Sequence, residues 1–284
     1  MIEFKVHGCR GSSAFDREKN RKYGGNSSCY SIRCGLDLII LDAGTGLIAL
    51  DELSYLPQNI YLMLSHFHHD HIEGIGISSL LYNPNNKIKV YGRNPKEGLE
   101  ARFNGINFPV PLAAMRGIDS FNEIQPEFYL GNVKVETLIG NHPHNGSVGY
   151  KFTIGNKNIV YATDMEFSYD SKGNTNDDRL KDEYVLFVHK ANLLIADAQF
   201  TYREYVEENP IKVKGWGHSY AEQIMDMAAK AWVRRVVLTH HAPRRSDIEL
   251  SFMWHDVNDH CFDNKYDVRF EYARQNCAIK LNSH

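Results

Sequence analysis

The stretch "LSHFHHDHIEG", residues 64–74, places four histidines and an aspartate in six consecutive positions directly after an apolar run. Neutral imidazole nitrogens and a carboxylate are donors that zinc and similar divalent ions accept. One mononuclear site rarely draws so many donors from a single loop, so two metals suit the pattern better. In the spacing HxHxDH the candidates are His66, His68, Asp70 and His71, with His69 as the variable position. Candidate ligands for a second ion follow later apolar runs: His142 in "GNHPHNG", Asp164 in "YATDM" and His240 in "VVLTHH".

Each of these has a plainer reading. A histidine-rich turn can be a solvated loop, although this density of imidazole is an odd choice for one. His142 competes with His144, and Asn141-His142-Pro143 could be a structural turn. Asp164 alone fits a helix N-cap, since "TDMEF" has that form, and only its company makes it a ligand. His240 and His241 are neighbours that point to opposite faces of a strand, so at most one faces a metal, and His240 is preferred.

Apolar periodicity and turn signals outline the elements that must position these residues. "IEFKVHG", "CYSIRCG" and "LDLIILDAGTG" are β-type runs separated by tight glycine turns, which predicts a meander. "GTGLIALDELSYL" has helical spacing, "NIYLMLSH" is a strand ending at about Ser65, "HIEGIGISSLLY" is a short helix and "KIKVYGR" is a strand. The histidine cluster therefore sits in a strand-to-helix turn, where a rigid sheet edge can fix it. After an irregular stretch come the strands "VKVETLIG", "SVGYKFTIG", "NKNIVYATD" and "NLLIADAQ", a helix from about Ser219 to Trp232, and the strand "RRVVLTHH". The polar "YDSKGNTNDDRLKD", residues 169–182, reads as a surface loop or lid. Strands in both halves with helices between them predict two sheets face to face with helices outside, as a single domain over residues 1–284.

Composition narrows the partners. A formal charge of -3 and a pI near 6.5 disfavour a protein that grips extended nucleic acid, which normally shows a basic excess. A small substrate suits that balance better. "MIEFKVHGCRGSS" lacks the basic and apolar regions of a secretory signal, and no run is apolar for long enough to span a bilayer, so a cytoplasmic protein without membrane contact is expected. The five cysteines show neither a zinc-ribbon pair nor a disulfide framework and are expected to be reduced, mostly buried thiols.

Five segments together, "LDAGTG" at 41–46, "SHFHHDH", "NHP", "YATD" and "LTHH", resemble the metallo-β-lactamase superfamily over nearly the whole chain. The resemblance implies an αββα four-layer sandwich of two mixed sheets with outer helices and a dinuclear site along one edge. It implies one metal on His66, His68 and His142, the other on Asp70, His71 and His240, and Asp164 bridging. Histidine at 68, where the di-iron redox branch has glutamate, implies a hydrolytic site.

"GCRGS" at 8–12, "YGGNSSC" at 23–29, "DAQ" at 197–199 and "GWGHS" at 215–219 resemble the phosphodiesterase branch: ribonuclease Z, the phosphoribosyl cyclic phosphodiesterases and the cyclic-nucleotide phosphodiesterases. This second resemblance implies hydrolysis of a small phosphodiester, a cyclic nucleotide first, by attack of a metal-bridging hydroxide. Two divalent ions, zinc first with manganese or iron as alternatives, would lower the pKa of bound water and neutralise phosphate oxygens. Asp70 and His218 are the catalytic candidates. Asp70 would orient the nucleophile while holding its metal. His218 matches the branch's extra histidine near the leaving group, where donating a proton to an alkoxide is worth about 10²- to 10⁴-fold. Its alternative is a helix-start histidine packed on Trp216.

Gly24-Gly25-Asn26 could bring backbone amides to a substrate anion or be a plain turn, and Arg244 and Arg245 could clamp a phosphate or lie at the start of the next helix. The segment 100–122 and the tail "SFMWHDVNDHCF" could cover the pocket, form a homodimer face, or be ordinary core. A transfer-RNA 3'-processing role is disfavoured, because the region between Asp164 and Asp197 lacks the Gly/Pro-rich arm of ribonuclease Z. A lactone or ester hydrolase on the same metals and a non-catalytic metal-binding scaffold remain the other readings.

Overall fold

Fourteen strands and seven helices form among the described residues of the computed structural model, which are 1–52, 59–167, 178–206 and 212–282. They group into two units, Met1–Arg17 with Gly24–Gln125 and Arg274–His284, and Glu18–Tyr23 with Pro126–Ala273.

The first unit holds β1 (Ile2–Gly8), β2 (Cys29–Cys34), β3 (Asp37–Leu41), β4 (Asn59–Met63), β5 (Ile88–Gly92), β6 (Ile118–Glu123) and, from the far end of the chain, β14 (Ala278–Leu281). Its sheet order is β14-β1-β2-β3-β4-β5-β6. The meander expected over β1, β2 and β3 is present as antiparallel pairs, and β3, β4, β5 and β6 then run parallel. Parallel strands are covered on both faces, so β3 "DLIIL" and β4 "NIYLM" read as unbroken apolar runs, whereas β1 alternates towards its start. The connections carry α1 (His69–Ile72), α2 (Ser79–Tyr82) and α3 (Pro95–Arg102). Ile40, Leu62 and Val90 from the strands pack with Leu80, Leu99 and Phe103 from the helices and the segment after α3.

The second unit holds β7 (Glu127–Leu130), β8 (Val133–Gly140), β9 (Ser147–Ile154), β10 (Lys157–Ala162), α4 (Arg179–Phe187), β11 (Leu193–Asp197), α5 (Tyr202–Val206), α6 (Ala221–Lys230), β12 (Arg235–Thr239), α7 (Asp247–Asp263) and β13 (Arg269–Tyr272). The order β13-β12-β11-β10-β9-β8-β7 is parallel from β13 to β10 and antiparallel from β10 to β7. Val160, Leu194 and Val236 of the sheet bury against Ile224 and Met225 of α6 and Leu250 and Met253 of α7. Each such side chain removed from water contributes roughly 1.5–3 kcal/mol.

The expected mixed sheets with helices are thus found, and the differences are local. The helix read over "GTGLIALDELSYL" is a 3-10 turn at Thr45–Leu50, with residues 53–58 outside the described ones. There Gly46 lies against the backbone of His7 and Gly8, an approach that leaves no room for a Cβ. "HIEGIGISSLLY" divides into α1, a 3-10 turn at Glu73–Gly76 and α2. Of the loop read over 169–182, residues 169–177 lie outside the described residues and 179–182 begin α4.

Two segments left open resolve in part into core. Phe103, Leu112 and Met115 are buried within 100–122, and Met253, Val257 and Cys261 are buried on α7. All five cysteines are free, with Cys9, Cys29 and Cys261 buried. No helix among the described residues is long and apolar enough to cross a membrane.

Candidate metal centre

In a sheet with parallel neighbours, strand ends of one sense share an edge, and ligand-binding residues gather at the carboxyl ends. In the first unit β3 ends at Leu41 and β4 at Met63, in register with each other. Asp42 follows β3 in the left-handed region (φ 55°), a conformation that aspartate tolerates better than most residues. Its buried carboxylate accepts the Ser65 N–H at 2.7 Å on one oxygen, and the Ser65 hydroxyl at 2.6 Å and His71 Nδ1–H at 2.7 Å on the other. The Ser65 hydroxyl in turn accepts from His66 Nδ1 at 3.0 Å.

These bonds bring the sequence-predicted residues of this unit together. The His66 ring lies 4.3 Å from that of His71 and 4.5 Å from that of His68, centroid to centroid. Asp70 accepts the Ser12 N–H at 2.7 Å, and the same oxygen lies 3.1 Å from His71 Nε2. His66, Asp70 and His71 are buried, while the exposed His69 pairs with Glu73 at 2.8 Å, as suits the variable position.

The second unit builds its cluster the same way. Asp164 follows β10 (φ 57°), Asp197 ends β11, and His240 follows β12 (φ 59°). His142 stands in the β8–β9 turn and His218 just before α6. One oxygen of Asp164 lies 3.3 Å from His240 Nε2, 3.8 Å from His142 Nε2 and 4.0 Å from His218 Nδ1. Asp164, Asp197, His218 and His240, all buried, each offer one donor atom within 4.8 Å of the others.

His144 is exposed, His241 turns its Nε2 to the Ala273 carbonyl at 2.8 Å, and Asp164 starts no helix. The His218 ring lies 4.8 Å from His240 and 5.2 Å from His142. Trp216 packs on Phe200 at 6.5 Å, and Phe200 lies 5.9 Å from the His218 ring.

One pattern runs through both units. Each of five histidines commits Nδ1 to a protein acceptor: His66 to Ser65, His71 to Asp42, His142 to the Gly217 carbonyl at 3.0 Å, His218 to Asp197 at 2.6 Å and His240 to Gln199 Oε1 at 2.8 Å. A neutral imidazole that holds its proton on Nδ1 keeps its lone pair on Nε2, the arrangement found around metal-ligating histidines. Buried imidazoles with anchored Nδ1 atoms, together with buried carboxylates, are donors that can hold divalent metal ions. His218, like His71, has a carboxylate as its anchor, whereas His66, His142 and His240 have neutral acceptors.

Sequence reading assigned no role to Asp42, Ser65 or Gln199. Asp42 stood in "LDAGTG" at the end of an apolar strand and Gln199 in "DAQ", so both lay inside segments that already carried the resemblance. Arg245 is a brace: its guanidinium grips Glu204 at 2.9 and 2.7 Å and donates to the Gln199 carbonyl at 3.1 Å, whereas Arg244 is exposed. The Gly24 turn is likewise committed to structure, since its carbonyl accepts from Arg10 Nε at 2.8 Å and the Asn26 N–H goes to Gln275 at 3.2 Å.

Residues 38–241 match the family model described as the beta-lactamase superfamily domain. No curated protein sequence matches the chain. Among solved structures it is similar to yeast PDE1 without ligand (13% identity, 99% of each chain, TM-score 0.69). It is also similar to the metallo-beta-lactamase fold protein YhfI from Bacillus subtilis (19% identity, 99% of this chain and 100% of that one, TM-score 0.68). A diphosphatase from the PhnP family is a third (14% identity, 99% of this chain and 98% of that one, TM-score 0.68). At these identities the likeness establishes the fold, the metallo-β-lactamase α/β sandwich expected from the motifs.

Proposed function

The chain belongs to the β-lactamase superfamily, and from that premise we propose that it is a metal-dependent hydrolase of small phosphodiesters, with cyclic nucleotides first among them. The observation that carries the reading is the set of buried histidines with anchored Nδ1 atoms, among them His218 on the Asp197 carboxylate, which the resemblance sets apart from the metal ligands. That two of the similar structures are a phosphodiesterase by name and a diphosphatase supports phosphorus–oxygen chemistry.

His66, His68, Asp70, His71, His142, Asp164 and His240 are the residues we assign to two divalent ions, zinc first, following the family resemblance. When bound, such ions activate water and neutralise phosphate oxygens. Asp70, held by the Ser12 N–H, orients the attacking water. To His218, its ring oriented by Asp197 at Nδ1, we assign delivery of a proton to the leaving oxygen. An alkoxide leaving group needs that proton; a nitrophenolate does not. Asp197 also accepts the Gln199 N–H at 2.8 Å, which fixes the carboxylate that orients the His218 ring.

The deciding experiment is a substrate panel of 2',3'- and 3',5'-cyclic nucleotides, cyclic ribose phosphate, a transfer-RNA precursor and a lactone, with Asp70→Ala as control. Zinc content is measured alongside. Turnover of cyclic nucleotides that vanishes in the control is expected. Asp164→Ala should lose metal and activity together, and His218→Ala should keep metal but lose about 10²-fold or more on alkyl leaving groups. Turnover of the lactone or the transfer-RNA precursor alone moves the protein to another branch, and zinc binding with no turnover at all makes it a scaffold.

A further inference from the structure

Glu166 is fully buried, lies two residues after Asp164, and has no part in the chemistry above. Three donors converge on its carboxylate: the Tyr205 hydroxyl, the Gly215 N–H at 2.9 Å and the Gly217 N–H at 2.8 Å. Its backbone also pairs with Asn141, N–H to carbonyl at 3.0 Å, next to His142. Burial pushes this carboxyl above its usual range, against the opposing pull of those three bonds. Burying a carboxylate costs free energy, so the arrangement calls for a reason.

The reason lies in what the gripped turn carries. The Gly217 carbonyl is the acceptor that holds His142 Nδ1, and the next residue is His218. Gly215 and Gly217 both sit at positive φ, 86° and 87°, and a Cβ on Gly217 would come within 2.1 Å of His142 Nδ1. Left-handed glycines are permissive, so without an anchor this turn has many conformations to choose from. Glu166 selects one.

We propose that Glu166 is a positioning residue that, through the Gly215–Gly217 turn, sets the orientation of His142 and His218 together. The His218 half of this rests on the function proposed above; the His142 half does not. Glu166→Gln places an amide nitrogen against at least one of the three donors, so the turn loses its fixed conformation.

The test uses Glu166→Gln and the milder Tyr205→Phe in the full chain, each first checked for folding. Zinc affinity of the metal-free protein, by competition with a chromophoric chelator, should fall about 10- to 100-fold in Glu166→Gln and about threefold in Tyr205→Phe. Long-range ¹H–¹⁵N spectra of the histidines should show His142 changing from a single Nδ1–H tautomer to a mixture. The rate ratio between nitrophenyl and alkyl leaving groups should rise about tenfold or more in Glu166→Gln, a change that a general loss of stability does not produce. Wild-type zinc affinity and an unchanged His142 tautomer in a folded variant overturn the proposal, and if Glu166→Gln does not fold, Tyr205→Phe decides. If no form of the protein hydrolyses a diester, the proposed function fails, while the zinc and tautomer measurements still judge Glu166.

Discussion

Asp42→Asn tests the tautomer reasoning at its root. The carboxylate of Asp42 serves three donors, two of them on one oxygen. An asparagine has a single acceptor oxygen. If the amide nitrogen faces the Ser65 N–H, two donors oppose each other at about the present 2.7 Å, which costs about 1–3 kcal/mol of stability. In the flipped orientation the nitrogen faces His71 Nδ1, and the ring answers by moving its proton to Nε2, which removes the lone pair a metal needs. Either way the disturbance reaches His71 directly and His66 through the Ser65 hydroxyl. Loss of such an outer partner weakens metal binding about 10- to 100-fold, or roughly 1.4–2.8 kcal/mol. The assay is zinc titration of metal-free protein against a chromophoric chelator, paired with urea unfolding. An Asp42→Asn protein with wild-type zinc affinity and wild-type stability refutes the claim that Asp42 fixes these imidazoles.

Three further outcomes are expected. His7 is buried against the Ser31 hydroxyl at 2.8 Å, and burial, helped by Lys5, pushes its imidazole down to about 4. The unfolded chain then takes up this proton first as pH falls through about 6.5, so the folded state keeps its full stability above that pH. It loses about 2 kcal/mol by about pH 5, and the loss continues towards about pH 4. His7→Asn should flatten the difference in urea stability between about pH 7.5 and about pH 5, and an equal loss in both proteins tells against it. Arg245→Met should cost about 1–3 kcal/mol in unfolding experiments by removing hydrogen bonds to Glu204 and Gln199, whereas the exposed Arg244→Met should stay within about 0.5 kcal/mol; the reverse ranking contradicts the brace. Gly217→Ala should abolish tight zinc binding by displacing the His142 ring. Gly35→Ala, with φ 60° but nothing within 4 Å of a new Cβ, should cost only about 1–2 kcal/mol and leave zinc affinity intact.

The candidate ligands were legible because their chemistry is local. HxHxDH is a spacing within one turn, and His142, Asp164 and His240 each follow an apolar run that ends a strand or leads into a turn. The apolar runs themselves marked β3, β4, β11 and β12. Which ligand each orienting residue holds was not legible. Asp42 reaches His71 across 29 positions, Gln199 reaches His240 across 41, and Glu166 reaches Gly217 across 51. A single polar residue has no period, so only the folded chain identifies its partner. The extent of helix α7 was not legible for another reason: its apolar residues are spread round the helix, with Ile248, Phe252 and Phe262 exposed. Its start was nonetheless written in Ser246 and Glu249, a capping box whose serine accepts the Glu249 N–H and whose glutamate accepts the Ser246 N–H.

The pairing of β14 with β1 has a consequence in time. The sheet that presents Asp42 and residues 65–71 draws its edge strand from residues 278–281, which the ribosome makes after every strand of the other sheet. While the chain is being synthesised, β1 therefore stands with one row of backbone N–H and C=O groups unpaired, an open template for wrong partners. The first unit to begin is the last to close. A nascent chain stalled before residue 274 should be sensitive to aggregation in its earliest-made part, and releasing the last strand should cure it.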